Sequence, residues 1–118
     1  MSQPEAGQAR PRSTRSKKRQ SLLRFEMLNS FVDKGMRHLT AHQSAVWLVL
    51  FRDTRPNGLA RASVDDIARR AGLGRRTVLR SLRRLEELRM LRVASRGGLN
   101  RGPSAYRVFP FAAPDEWG

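Results

Sequence analysis

Ser63-Val-Asp-Asp-Ile-Ala-Arg-Arg-Ala-Gly-Leu-Gly-Arg-Arg-Thr-Val-Leu-Arg-Ser-Leu-Arg-Arg-Leu-Glu-Glu-Leu-Arg89 is the stretch on which the fold turns. It divides into a short helix, a turn carrying two glycines, and a longer helix crowded with arginine. Ser63 is a good N-cap, and Asp65 and Asp66 fall in the first turn, against the positive end of the helix dipole. Val64, Ile67, Ala68 and Ala71 supply an inward face. Gly72 can take the positive φ that ends a helix, and Leu73 can plug the angle between the two helices. The second helix is expected over about 75–89. With Val78 set at zero and about 100° per residue, Val78, Leu82 and Leu85 face the core, flanked by Leu79 and Leu88. Arg76, Arg80 and Arg83 cluster on the opposite side, with Arg84 and Thr77 at its edges.

Upstream, Thr40-Ala-His-Gln43 has the form of a capping box, so a helix begins there. The run Ala45–Phe51 is apolar almost all round, as the central helix of a small bundle should be. Pro56-Asn57-Gly58 imposes a turn, and Leu59–Ala62 has room only for a brief strand. Downstream, residues 90–93 and 105–109 read as two strands. They flank a loop, 94–104, rich in glycine and basic residues, and together they describe a β-hairpin. Residues 110–118 read as a loosely packed C-terminal tail.

The first forty residues are less regular. Residues 1–20 contain prolines, serines and glutamines, six basic residues against Glu5, and no large apolar residue after Met1. Such a segment cannot bury enough apolar area to offset its ordering entropy, so a disordered basic tail is expected. No apolar run in it is long enough for a signal peptide. Residues 21–39 read as an N-terminal helical segment. Phe25, Leu28, Val32 and Met36 share a helical face, but Leu23, Met27 and Phe31 lie off it. Either the helix is covered on several sides, or only 28–36 is helical and 24–27 is extended. The partner surface it needs is the domain itself or a second subunit, which leaves a homodimer open.

Composition narrows the function. The chain has 118 residues, enough for one domain and a tail, and a formal charge of +14. Lys and Arg number 24 against 10 acids, and only Lys17, Lys18 and Lys34 are lysine. Arginine bias has a bland source in GC-rich codons, but the excess of positive charge calls for a polyanionic partner, and nucleic acid leads. There is no cysteine, so disulfides, thiolate zinc sites and a cysteine nucleophile are excluded. No apolar run approaches a membrane span, and a cytoplasmic, DNA-associated protein with no membrane partner is expected.

The order helix, brief strand, helix, glycine turn, arginine helix, strand, basic loop, strand resembles the winged helix-turn-helix domain. Residues 39–93 are similar to the helix-turn-helix modules of bacterial transcription regulators and of some phage and plasmid replication proteins. The likeness is carried by Ser63, Ile67, Ala68, Ala71-Gly72-Leu73-Gly74, Thr77-Val78, Arg80, Leu82 and Leu85. It covers roughly residues 40–109 and is specific for fold more than for role. The fold class it implies is mainly α with a small β-hairpin (α+β), a three-helix core plus a wing, with an extra N-terminal helix. By that likeness Arg75, Arg76, Thr77 and Arg80 stand where family members touch bases and phosphates. Arg96, Asn100 and Arg101 stand at the wing tip, which meets the minor groove or the backbone. Arg76 and Arg80 are the candidates for base contact, while Arg83, Arg84 and the wing arginines hold phosphates. Gly74 departs from the family's usual Ser or Thr cap and removes one hydroxyl.

The expected function is therefore sequence-specific binding of double-stranded DNA, with a role in transcription control. Alternatives are a phage or plasmid replication-initiation protein, with a replication partner, and a small RNA- or ribosome-associated protein. Other signals are set aside. Residues 97–104 echo a phosphate-binding loop, but Pro103 takes the lysine position and no helix follows. His38 and His42 fall on different segments and have no third ligand, so no metal is expected. Asp65-Asp66 and Glu86-Glu87 are explained by helix ends and surface charge, so no catalytic residue, enzyme activity or cofactor is expected.

Overall fold

The computed structural model describes residues 3–98 and 102–113, with side chains from residue 16 onward. The chain is mainly helical with a small antiparallel sheet. Helix α1 spans Gln3–Ser30 and continues through a π turn, Phe31–Gly35, and a 3₁₀ turn, Met36–His38. Then come α2 (Ala41–Asp53), β1 (Ala60–Ala62), α3 (Val64–Ala71), α4 (Arg75–Glu87), β2 (Leu91–Ser95) and β3 (Ser104–Val108). Among the described residues no helix is long and apolar enough to cross a membrane.

Local chemistry sets the helix ends. The Gln43 amide donates to Thr40 Oγ1 at 3.2 Å, and the Thr40 amide donates to Gln43 Oε1 at 3.0 Å, completing the capping box of α2. The Asp66 amide donates to Ser63 Oγ at 3.1 Å at the start of α3. Gly72 closes α3 with φ 70°, a left-handed conformation that only glycine adopts freely. The chain then re-enters α4 through Gly74, which caps without a side-chain bond. At the far end of α4, the Met90 amide donates to Leu85 O and the Arg89 amide to Glu86 O, each at 2.9 Å. That pair of bonds is a Schellman closure, with Arg89 at φ 60°.

Helix α2 packs on α3, α4, β1 and β3, so it is the centre of the molecule. Its Trp47 is wholly buried between two rings, stacked on Phe31 at 3.8 Å and on Phe51 at 5.2 Å between centroids. The indole N–H, which would be costly to bury unpaired, donates to Phe109 O at 3.0 Å. Val46, Leu50, Ile67, Val78, Leu85 and Met90 complete the core. Leu79, placed at its edge by helical periodicity, is instead 45% exposed. At about 100° from Val78 it lies beyond the arc that α2 and α3 cover.

The sheet has the order β1-β3-β2, so the last strand is central. Arg61 pairs with Ala105 on one side and Arg92 with Arg107 on the other. A bulge between Val93 and Ser95 shifts the β2–β3 register, and the hairpin continues to a bridge between Gly98 and Gly102.

Three expectations about the chain ends change. From Gln3 onward, the stretch expected to be a disordered tail belongs to α1. Pro11 removes one i→i−4 hydrogen bond and Gly7 adds backbone entropy, so local helix propensity does not account for the helix over this stretch. The extended alternative for 24–27 gives way to continuous helix, because Arg24 is held in place. It donates to Thr54 O at 3.0 Å and to Phe51 O at 3.3 Å, with its guanidinium 4.6 Å over the Phe51 ring. The free carbonyls and negative end of α2 suit such a cation. Finally, residues 110–113 are not loose: the Ala113 amide donates to Arg89 O at 2.8 Å and Ala113 is buried. Pro110 lies so close to Gly35 that a Cβ there would collide with the Pro110 carbonyl oxygen.

Candidate nucleic-acid interface

The candidate surface is built on α4. Val78, Leu82 and Leu85 bury its inner face, and this fixes the rotation of the helix. Arg76, Arg80 and Arg83 are therefore exposed on the outer face, as their spacing predicts. Among the described residues, no side chain of the three takes part in a hydrogen bond or an ion pair. Thr77, at the margin of that face, is half-buried.

The other sequence-predicted arginines have internal partners. Arg75 Nη1 lies 2.6 Å from Asp65 Oδ1, tying the start of α4 to the first turn of α3. Arg84 Nη1 reaches Glu87 Oε1 at 3.2 Å, and Arg96 Nη2 lies 4.0 Å from Glu86 Oε1. All three arginines are exposed. Exposed pairs of this kind contribute between zero and about 1 kcal/mol, so a phosphate can displace the carboxylate at little cost. Asn100 and Arg101 lie outside the described residues. The surface thus holds three unpaired guanidinium forks in a row, bordered by three exchangeable ones.

The α3 helix is held against α2 by an ion cluster. Arg70 Nη1 donates to Asp53 Oδ1 at 2.9 Å and Arg70 Nη2 to Asp66 Oδ2 at 2.7 Å. Hydrogen bonding to Arg70 holds the Asp53 carboxyl below the usual carboxylate range, against the opposing effect of burial. The same bond to Asp53 pushes the Arg70 guanidinium up. Sequence alone assigns Arg70 no role, since its four-residue spacing from Asp66 is the only visible signal. Its bond to Asp53, seventeen residues away, depends on how α2 and α3 cross.

Between the start of α3 and the base of the hairpin lies a cavity of about 350 Å³, lined by Ser63, Asp65, Arg75, Gly97, Gly98 and Ser104. The Gly97 amide donates to Ser104 Oγ at 2.8 Å, and a Cβ at Gly97 would collide with Gly102 O. Glycine is needed at that position for the strands to close together. The cavity brings the hairpin base beside Arg75 at the start of α4.

In chemical terms the arrangement presents donors and cations to an extended acceptor. Arginine forks match phosphate oxygens and the O6/N7 edge of guanine, and a helix is the element that a B-form major groove admits. Compared with protein-family models, with curated proteins and with solved structures, the chain matches none.

Proposed function

We propose that this chain is a winged helix-turn-helix protein that binds double-stranded DNA and acts in transcription control. In this reading α3 and α4 form the helix-turn-helix, and α4 enters the major groove. The hairpin loop 94–104 is the wing and meets the backbone or minor groove. Arg76 and Arg80 contact base edges, while Arg83, Arg84, Arg96 and Arg101 hold phosphates, and Arg75, Thr77 and Asn100 border them. The observation that carries the reading is the row of exposed, unpaired arginines on the face of α4 opposite its buried side. A solvated surface needs charge of either sign. Here three arginines share one face without a counter-ion, in a chain of formal charge +14. No catalytic step and no cofactor belong to this reading, and the place of action is the cytoplasm.

The test is selection from a random duplex library at ~150 mM salt, followed by titration of the winner against scrambled DNA. A recovered motif bound at least ~10³-fold more tightly than scramble supports base readout. No enrichment, with affinity that simply falls steeply with salt, overturns the regulator and leaves a phosphate-driven binder. Structured RNA as competitor then separates an RNA- or ribosome-associated protein from a replication protein, because the A-form major groove is too narrow for a helix.

A further inference from the structure

A second cavity, of about 470 Å³, lies between α1, the end of α2 and the segment that follows β3. Its volume falls within the range of small-molecule sites, about 300–1,000 Å³. Met27, Val108, Pro110, Phe111, Ala112 and Ala113 give it apolar walls, and among the described residues Arg107 is the one charged group on its lining. That arginine is held in place but left without an acceptor. Its guanidinium lies against the turn at Gly58, where φ is 85° and a Cβ would collide with Nη1. Across the sheet it stands directly opposite Arg92, a like charge. Its Nε–H is buried with no hydrogen-bond partner, and no carboxylate of the described residues pairs with it. Three arginines of the described residues are half-buried, Arg24, Arg70 and Arg107. Arg24 is satisfied by the carbonyls that end α2, and Arg70 by Asp53 and Asp66. Arg107 alone of the three has no acceptor within the chain, and shielding a donor from water without one is costly.

We propose that this cavity binds a small organic monocarboxylate with a flat apolar body, its carboxylate on the Arg107 guanidinium. The ligand supplies the acceptor that the chain withholds. One planar fork matches the two oxygens of a carboxylate. A phosphate dianion needs more donors than the site offers, since Thr54, the other side-chain donor of the lining, already gives its hydroxyl proton to Leu50 O at 2.9 Å. The body of the ligand lies against Met27 and Phe111, a thioether and a ring that suit an aryl group. Phe111 is 43% exposed, with Lys34 Nζ 5.2 Å over its ring, so it forms the outer wall. Because the walls come from α1, from β3 and from residues 110–113, the bound ligand ties α1 to the rest of the domain. The proposal does not rest on the DNA reading, and its test uses no DNA.

The test is NMR titration of the full chain with phenylacetate, indole-3-acetate and hexanoate at about 150 mM salt, which screens the general attraction of a basic protein for acids. The readouts are the Arg107 Nε–Hε signal, assigned by its loss in Arg107→Met, and the amides of Ala112 and Ala113. At least one acid is expected to shift all three signals along one saturating curve, with a sub-millimolar Kd. Phenylacetamide, the neutral counterpart of phenylacetate, should bind at least ~10-fold more weakly than the acid, and acetate, a charge without the apolar body, should show a similar loss. Arg107→Met should abolish the saturable shift at Ala112 and Ala113, whereas Arg52→Met, which removes one exposed charge from α2, should leave it unchanged. No saturable shift with any of the three acids overturns the proposal. So does an amide or acetate that binds as tightly as the acid, or binding that survives Arg107→Met. Should Arg107→Met fail to fold, the comparison of acid with amide on the parent chain decides alone.

Discussion

Gly35 and Arg70 show how single residues hold the molecule together. A methyl at Gly35 would collide with the Pro110 carbonyl and with Met90 Cε, and neither the backbone nor the buried Met90 has room to withdraw. Gly35→Ala is expected to cost about 1–3 kcal/mol, the usual range for overpacking, read as a lower urea midpoint at an unchanged m-value. Arg70 and Asp53 are each about three-quarters shielded from solvent, between an exposed pair and a buried one. Asp53→Asn should therefore cost about 1–2 kcal/mol at neutral pH. Because the folded-state pKa of Asp53 is lowered, the unfolded chain takes up the proton first as pH falls. The stabilisation is complete above about pH 4 and disappears as pH drops through the lowered folded value. Urea midpoints of the parent and of Asp53→Asn should converge below pH 4. Parallel curves down to the acid limit would show that this carboxylate does not titrate with folding.

Among the elements, α2 serves stability, and in the proposed reading α4 serves recognition. The α2 helix carries the stacked rings and the capping box, and Thr40→Ala removes one side-chain bond from its first turn. A loss of about 1 kcal/mol is expected in thermal or urea unfolding, with DNA affinity unchanged once the protein is folded. The α4 helix puts Val78, Leu82 and Leu85 inside and leaves its arginines outside, so substitutions of those arginines should act the opposite way. Arg80→Ala is expected to leave stability within about 0.5 kcal/mol, and to cost roughly 1–3 kcal/mol on the selected duplex with little effect on scrambled DNA. Arg84→Ala, at a residue already paired with Glu87, should weaken selected and scrambled duplexes about equally. Equal losses from both substitutions on both duplexes would abolish the distinction between base-reading and phosphate-holding arginines.

For the molecule as a whole, charge sets the behaviour. A formal charge of +14 on 118 residues predicts affinity that falls steeply with salt. Between 50 and 200 mM salt, a protein neutralising six or more phosphates should lose on the order of 10³-fold in affinity, as fluorescence anisotropy on a labelled duplex would read.

Much of this is legible in the residues themselves. Ser63, Thr40, Gly72 and the Val78-Leu82-Leu85 period mark helix starts, stops and faces through interactions that span only a few residues. The outward row of Arg76, Arg80 and Arg83 follows from the same period, because burying one face of a helix exposes the other. Leu79 escapes that logic because periodicity gives an angle but not the width of the surface that covers it. The hairpin is visible in the sequence, but β1 on the far side of the final strand is not, since strand partners forty residues apart carry no local signal. The Asp53–Arg70 bond, the grip of Arg24 on the end of α2 and the closeness of Gly35 to Pro110 likewise required the tertiary structure. Each joins groups far apart in the chain, and their meeting depends on how packed helices cross, whereas the sequence by itself settled the helix caps, the α4 faces and the charge.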